Sequence, residues 1–177
     1  MMRINDLLSM DPALRRYTSI AEMDPLAEED ALQEAQVLDV RFDALAGIAG
    51  ILFDLRQALQ LREANTGVLV AQGVHGLTWA GPGRNTALTA WSIGSSIPRA
   101  RDQLFELSLA MWPYPGARLS LIAEDAAFFV GNVPGLAEAP PDYIGRDRAA
   151  LGHEVSSWDS LFEPTSAVFL GGTGSGG

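Results

Sequence analysis

The residues that could do chemistry are few in this chain of 177 residues. Two imidazoles exist, His75 and His153. His75 alternates with Val74 and Gly76 in a strand-like run, which turns it away from an apolar core. A nucleophile triad would need a serine and a carboxylate beside it, and no Gly-x-Ser-x-Gly elbow is present to offer the serine. His153 sits in Gly152-His153-Glu154, a loop-rich stretch. There is no cysteine and no lysine; all twelve basic residues are arginine. Thiolate nucleophiles, disulfides, sulfur-ligated metals, Schiff bases and a P-loop lysine are thereby excluded.

Carboxylates give little more. Asp39 and Asp43 flank Arg41, which offers each a partner. Glu124 and Asp125 are adjacent, so in a strand they would point apart, and a turn is the simpler role. Glu138, Asp142 and Asp147 could supply oxygen ligands to calcium, but without EF-hand spacing. A pair of carboxylates assembled in space, as in glycosidases, stays open. Gly81-Pro82-Gly83-Arg84 lacks the following helix that a phosphate cradle needs. The expectation is a non-enzymatic protein with no catalytic residue, no cofactor and no metal site.

Aromatic residues in proline-braced loops are better placed for function. The chain carries four tryptophans, Trp79, Trp91, Trp112 and Trp158. A domain of this size buries two of them with ease, and core packing is expected of Trp79 and Trp91. Trp112-Pro113-Tyr114-Pro115 and Pro140-Pro141-Asp142-Tyr143 present rigid aromatics at low ordering cost, as protein interfaces favour. Trp112, Tyr114, Asp142 and Tyr143 are the candidate partner-binding residues.

Stepping from these residues to the elements that carry them, Leu38 to Ala44 alternates apolar and charged side chains, the period of a half-buried strand. Ile48 to Leu61 fits either a helix or a long strand; Gly47 and Gly50 favour the strand, joined to the first by a hairpin at Ala46-Gly47. After an Asn65-Thr66-Gly67 turn come Val68–Ala71 and Gly73–Trp79. A Gly/Pro loop follows Trp79, strand character resumes from Thr86 to Ile93, and Arg99–Asp102 forms a polar connection. Leu104–Trp112 is a strand ending at the Pro113–Gly116 turn. Arg118–Ala123 and Ala127–Val130 read as a hairpin around Glu124-Asp125, and Ala167–Leu170 as an edge strand. Turn signals at this spacing imply a mostly antiparallel β-sandwich of about eight strands.

Residues 1–36 read as an acidic helical arm. Asp11-Pro12 and Asp24-Pro25 are helix-start signatures, giving one or two short α-helices against the sheet. Residues 37–170 form the β domain, with a proline-rich loop over 131–143. Residues 171–177 are a flexible glycine-rich tail.

The run Val68-Leu69-Val70-Ala71-Gln72-Gly73-Val74-His75-Gly76-Leu77 resembles a strand-turn-strand pattern of small bacterial immunity proteins from polymorphic-toxin systems. The resemblance covers residues 37–131 as a strand pattern. It implies a protein that binds and neutralises a cognate toxin without an active site of its own, and it carries over no site residue.

Formal net charge is −10, with eight acids and three arginines in residues 1–36 and six acids and two arginines in 136–177. The intervening core is nearly neutral, with eight acids and seven arginines. Direct nucleic-acid binding is disfavoured, since phosphate contacts need clustered cations. A basic protein partner is permitted. No apolar run reaches the roughly 18 residues of a membrane helix. With no secretory signal in the first residues either, a cytoplasmic address is expected. The expected function is protein binding by surface complementarity, of the immunity type that the resemblance implies. Two alternatives remain: a small-molecule-binding or enzymatic β domain with a cavity between sheets, where Gly47, Gly50, Gly73 and Gly76 would leave space, and a structural subunit docking through its N-terminal arm.

Overall fold

A computed structural model of the chain describes residues 1–81 and 90–170. The strands are β1 (Met2–Arg3), β2 (Gln36–Asp43), β3 (Ile48–Asp54), β4 (Thr66–Ala80), β5 (Trp91–Arg101), β6 (Leu104–Trp112), β7 (Arg118–Asn132) and β8 (Leu161–Phe169). All belong to one antiparallel sheet in the order β1-β8-β7-β4-β3-β2-β5-β6, with β6 also paired to β7. That last pairing curls the sheet into a ring, β2-β3-β4-β7-β6-β5, closed where Gln36 and Val37 meet Ser92 and Trp91.

The expected sandwich of two sheets is therefore replaced by a single rolled sheet. The reason lies in the two long strands. β7 pairs with β4 along its length, while its other edge serves β6 over Ala123 to Arg118 and β8 over Ala127 to Asn132. Register shifts at Val37/Asp39, Val74/Gly76, Ile93/Ser95 and Val130/Gly131 add local twist and bend, as bulges do. The ring is filled by Ile51, Phe53, Leu69, Ile93, Leu107, Leu109, Leu121 and Phe128 from β3 to β7, with Val37 added by β2. A small barrel with a side-chain interior follows.

A second apolar layer lies outside the ring. Leu52, Val68, Val70, Ala127 and Phe129 face outward there and are covered by Ile4, Leu7, Leu14, Trp158 and Phe162. The N-terminal arm is thus packed on its own domain. Its helices are 3₁₀ turns, Ile4–Ser9 and Pro12–Tyr17, in place of the expected α-helices. Six residues give too few turns for an α-helix to hold in isolation, and contact with the sheet sets the geometry. The Asp11 carboxylate does accept the Ala13 amide at 2.8 Å, with Pro12 at the first helical position. Asp24 likewise accepts from Leu26, at 2.8 Å, but caps only a turn.

Other boundaries move for local reasons. β3 stops at Asp54, short of Leu61, because Asp54 folds back onto Arg56 and turns the chain. Thr66 and Gly67 open β4 and form no turn. The two expected strands 68–71 and 73–79 are one strand, bent at Gly73 with φ +60°. Arg99–Arg101 completes β5, and the turn is the two residues Asp102-Gln103, both at positive φ as a type I′ hairpin requires. Glu124-Asp125 closes no hairpin: both flanking segments pair with β4, so β7 is continuous. β8 begins at Leu161, six residues before the expected strand, and tolerates Pro164 beside a register shift. The hairpin at 44–47 joins β2 to β3 as expected. Of the expected strand Thr86–Ile93, residues 86–89 lie outside the described residues and Trp91 opens β5; residues 82–84 of the phosphate-cradle reading and the glycine tail also lie outside them.

Candidate aromatic interface

Strand direction sorts the connections between two ends of the ring. The β2–β3 hairpin, the β4–β5 connection and the β6–β7 turn all emerge at one end. Each presents apolar side chains to solvent: Phe42 and Leu45 from the first, Trp79 from the second, Trp112 and Tyr114 from the third. Trp79 and Trp112 are 43% and 59% exposed, respectively. The expected burial of Trp79 is thus not met, although it continues the inward row of β4, because it stands at the mouth of the ring. Trp91 is half-buried there, its ring centroid 5.3 Å from that of Trp79 at 88° and 5.5 Å from that of Tyr114 at 54°. Such edge and tilted contacts hold aromatic rings in defined orientations.

Trp112 points the other way. Phe105, Leu107, Leu109 and Met111 face the interior, so Trp112, Ala110, Ser108 and Glu106 line the outside of β6. The indole lies across Gly94 of β5; a Cβ at that position would stand 2.7 Å from Trp112 Nε1. Gly94, Ser95, Ala110, Trp112, Pro115 and Arg118 enclose a groove of about 340 Å³ beside it. Sequence reasoning named Trp112 but missed Gly94, Ser95 and Arg118, which come from different strands. The bulge at Ile93/Ser95 interrupts the alternation that would have marked the floor.

The other two candidates do different work. Asp142 is exposed, and its carboxylate accepts the Ile144 amide at 2.9 Å, shaping a turn. Tyr143 is half-buried and donates to Gln36 Oε1 at 3.3 Å. Burial, then the Asp54 carboxylate, push its phenol up to about 12. Gln36 is in register with Ser92, and Ser92 with Trp112. Directly opposed residues share a sheet face, so Tyr143 and Trp112 flank the same outer wall two strands apart, while Tyr114 belongs to the mouth.

The segment bearing Tyr143 is fixed by a buried ion pair. Arg56 Nε and Nη2 both donate to the Asp54 carboxylate, at 3.0 and 2.6 Å. Its remaining N–H groups reach the carbonyls of Ala137, Ala139 and Glu154. The two side chains are 3% and 1% exposed. Arg146 and Glu154 form a second, exposed pair, which raises the arginine pKa through the side-chain hydrogen bond and lowers that of the carboxylate for the same reason.

Several of the remaining chemical groups find structural partners. His75 Nε2 lies 3.4 Å from Glu124 Oε1 with both side chains more than half exposed. Asp39 accepts from Trp158 Nε1 at 2.9 Å, while Arg41 stacks over that indole and donates to Asn5; Asp43 accepts the Leu45 and Ala46 amides. Neither aspartate uses Arg41. Asp147 caps the short helix α1 (Arg148–Leu151) through the Ala150 amide. Among the described residues no group of three His, Asp or Glu side chains is placed to hold a metal ion. Gly50 packs under Trp158 and Leu8, and Gly73 under Glu124. No helix among the described residues is long and apolar enough to cross a membrane.

No protein-family model matches the chain, and no curated protein does. Among solved structures it is similar to the crystal structure of an uncharacterized protein from Neisseria gonorrhoeae, at 11% identity and a TM-score of 0.43, over 57% of this chain and 94% of that one.

Proposed function

We propose that the chain is a non-enzymatic protein-binding module, of the immunity type suggested by its strand pattern, that meets its partner with the aromatic end of the barrel and the wall below Trp112. The observation that carries this reading is the exposure of Trp79, Trp112 and Tyr114 around the β4–β5 and β6–β7 connections, where Trp91 touches both Trp79 and Tyr114, with Phe42 and Leu45 exposed on the β2–β3 hairpin. Clustered exposed apolar side chains of this kind favour association, and tryptophan and tyrosine are the usual energetic anchors. The alternatives draw less support. The ring interior is occupied by side chains where a ligand cavity would be needed, and the arm's Ile4, Leu7 and Leu14 are already buried on the protein's own sheet.

The test is capture of the cognate partner from source lysate by the wild type and by the double variant Trp112→Ala, Tyr114→Ala. Truncating a tryptophan anchor costs about 2 kcal/mol or more, roughly a thirty-fold loss of affinity. Melting temperature should stay near wild type, since Trp112 is largely exposed. A partner held equally by wild type and variant would sink the assignment of this end.

A further inference from the structure

We propose that the crevice at the far end of β6 from Trp112 binds a short apolar peptide with free termini, a di- or tripeptide. Arg99 holds its carboxylate, and Glu124 and Asp125 hold its ammonium. The site is separate from the aromatic end and does not rest on the binding-module reading. It follows from how β7 divides one of its edges. That edge pairs with β6 as far as Ala123, opposite Phe105, and with β8 from Ala127, opposite Phe169. Between those points β6 and β8 diverge, and Glu124 and Asp125 sit in the fork. Leu104 and Phe105 form one side of the crevice and Leu170 the other, while Leu26 of the arm and Pro98 of β5 complete its apolar lining. The space is about 520 Å³, within the roughly 300–1,000 Å³ of small-ligand sites.

An irregularity in β7 brings both carboxylates there. Leu121 and Ala123 pack in the core, and so do Ala126 and Phe128, so the strand changes phase across Glu124-Asp125. In a regular strand these two would point to opposite sides; the change of phase lets both line one crevice. Gly73 on β4, at φ +60°, leaves the room that the Glu124 carboxylate occupies. Arg99 comes from the other flank, since β5 lies beyond β6, two strand spacings or about 10 Å from β7. Its guanidinium lines the crevice with no carboxylate of the described residues within ion-pair distance, Glu106 opposite it included. Asp125 uses one oxygen on the Ala126 amide, and Glu124 meets only His75, at 3.4 Å, with both side chains more than half exposed. Opposite charges thus line the same crevice without neutralising each other. A ligand that bridges them carries both signs, its ammonium towards β7 and its carboxylate towards β5. Two or three residues at about 3.3–3.6 Å each span about 7–11 Å, the spacing from β5 to β7. The leucines between take apolar side chains, and a guanidinium binds a carboxylate in bidentate geometry.

Calorimetric titration of the full chain with trileucine and dileucine tests this, with free leucine, N-acetyl-trileucine and trileucine amide as comparisons. Both free peptides should bind, and each blocked form should bind about ten-fold or more weakly, the loss expected for one charge-assisted contact. Arg99→Gln should weaken trileucine to the level of its amide and abolish the difference between the two. Glu124→Gln with Asp125→Asn should do the same for the N-acetyl form. Arg99 and Glu124 are exposed, and an asparagine at 125 can still accept the Ala126 amide, so the folds should hold; thermal melts check each variant. Neither heat nor a rise in Tm at millimolar trileucine would overturn the proposal, as would blocked forms that bind as well as free ones. Leucine binding as tightly as trileucine would overturn the peptide class, because its two charges sit on one carbon. Loss of trileucine on Trp112→Ala would place the peptide at the aromatic end and overturn the crevice.

Discussion

Arg56→Ala is the perturbation whose consequence is best defined by the geometry. It removes the two nitrogens that neutralise Asp54, leaving a carboxylate with 1% side-chain exposure and no counter-ion. Stranding one member of a buried pair costs about 3–5 kcal/mol. The Ala137, Ala139 and Glu154 carbonyls lose their donor too, but they lie in exposed surroundings where water can take its place. The single variant should therefore lose about 3–5 kcal/mol in urea unfolding, and its Tm should fall by about 6–20 °C for a chain of this size. Replacing both partners by leucine removes the orphaned charge, so the double variant should cost under about 2 kcal/mol. A single-variant loss below about 1 kcal/mol, or a double variant as damaged as the single, would refute the claim that the pair is a mutually dependent buried unit.

Gly73→Ala should destabilise by about 1–2 kcal/mol, the cost of a left-handed conformation for an L-residue. The displaced Glu124 carboxylate is exposed and free to move, so adding Glu124→Ala should change that cost by less than about 0.5 kcal/mol in denaturant titrations. The Tyr143 phenol, raised from 10.0 to about 12 by burial and then by Asp54, holds its proton more tightly folded than unfolded. Its contribution is complete below pH 10 and lost as pH rises from 10 towards 12. Unfolding free energy across that window should decline more steeply in wild type than in Tyr143→Phe, and equal slopes would contradict the burial. Ultraviolet titration should find the latest-ionising of the three tyrosines missing from the variant.

What could be read without coordinates was local. Alternation in Leu38–Ala44 and Leu104–Trp112 marked strands because one side of each is wet. β3 and the first half of β4 are covered on both faces, so Ile51-Leu52-Phe53 and Val68-Leu69-Val70 show no period and left helix and strand in balance. Ring against sandwich turned on which edge β7 shares with β6, a long-range pairing that no short window encodes. Glu124-Asp125 looked like a turn because adjacent acids are common there; the compensating irregularity, Gly73, sits on the neighbouring strand. Trp112 and Tyr114 were legible from their prolines, whereas the groove beside Trp112 depends on a missing Cβ at Gly94 and on Arg118, which stand on the two strands that flank β6. Tyr143 carried the same signal as Tyr114, yet its hydroxyl is committed to Gln36.

The arm's anchoring points also impose an order in time. Arg3 Nη1 donates to the Asp159 carbonyl, 156 positions later, and the amides of Ile4 and Asn5 donate to the carbonyls of Ser160 and Trp158. Ser19 reaches still further along the chain, to the Ala167 carbonyl. During translation at about 5–20 residues per second, Arg3 waits roughly 8–30 s before its acceptor exists. Through that interval the arm has no backbone partner on β8, and the apolar outer layer it will cover is assembled only in part. The ring can close first, and the arm is the element that registers completion of the last strand.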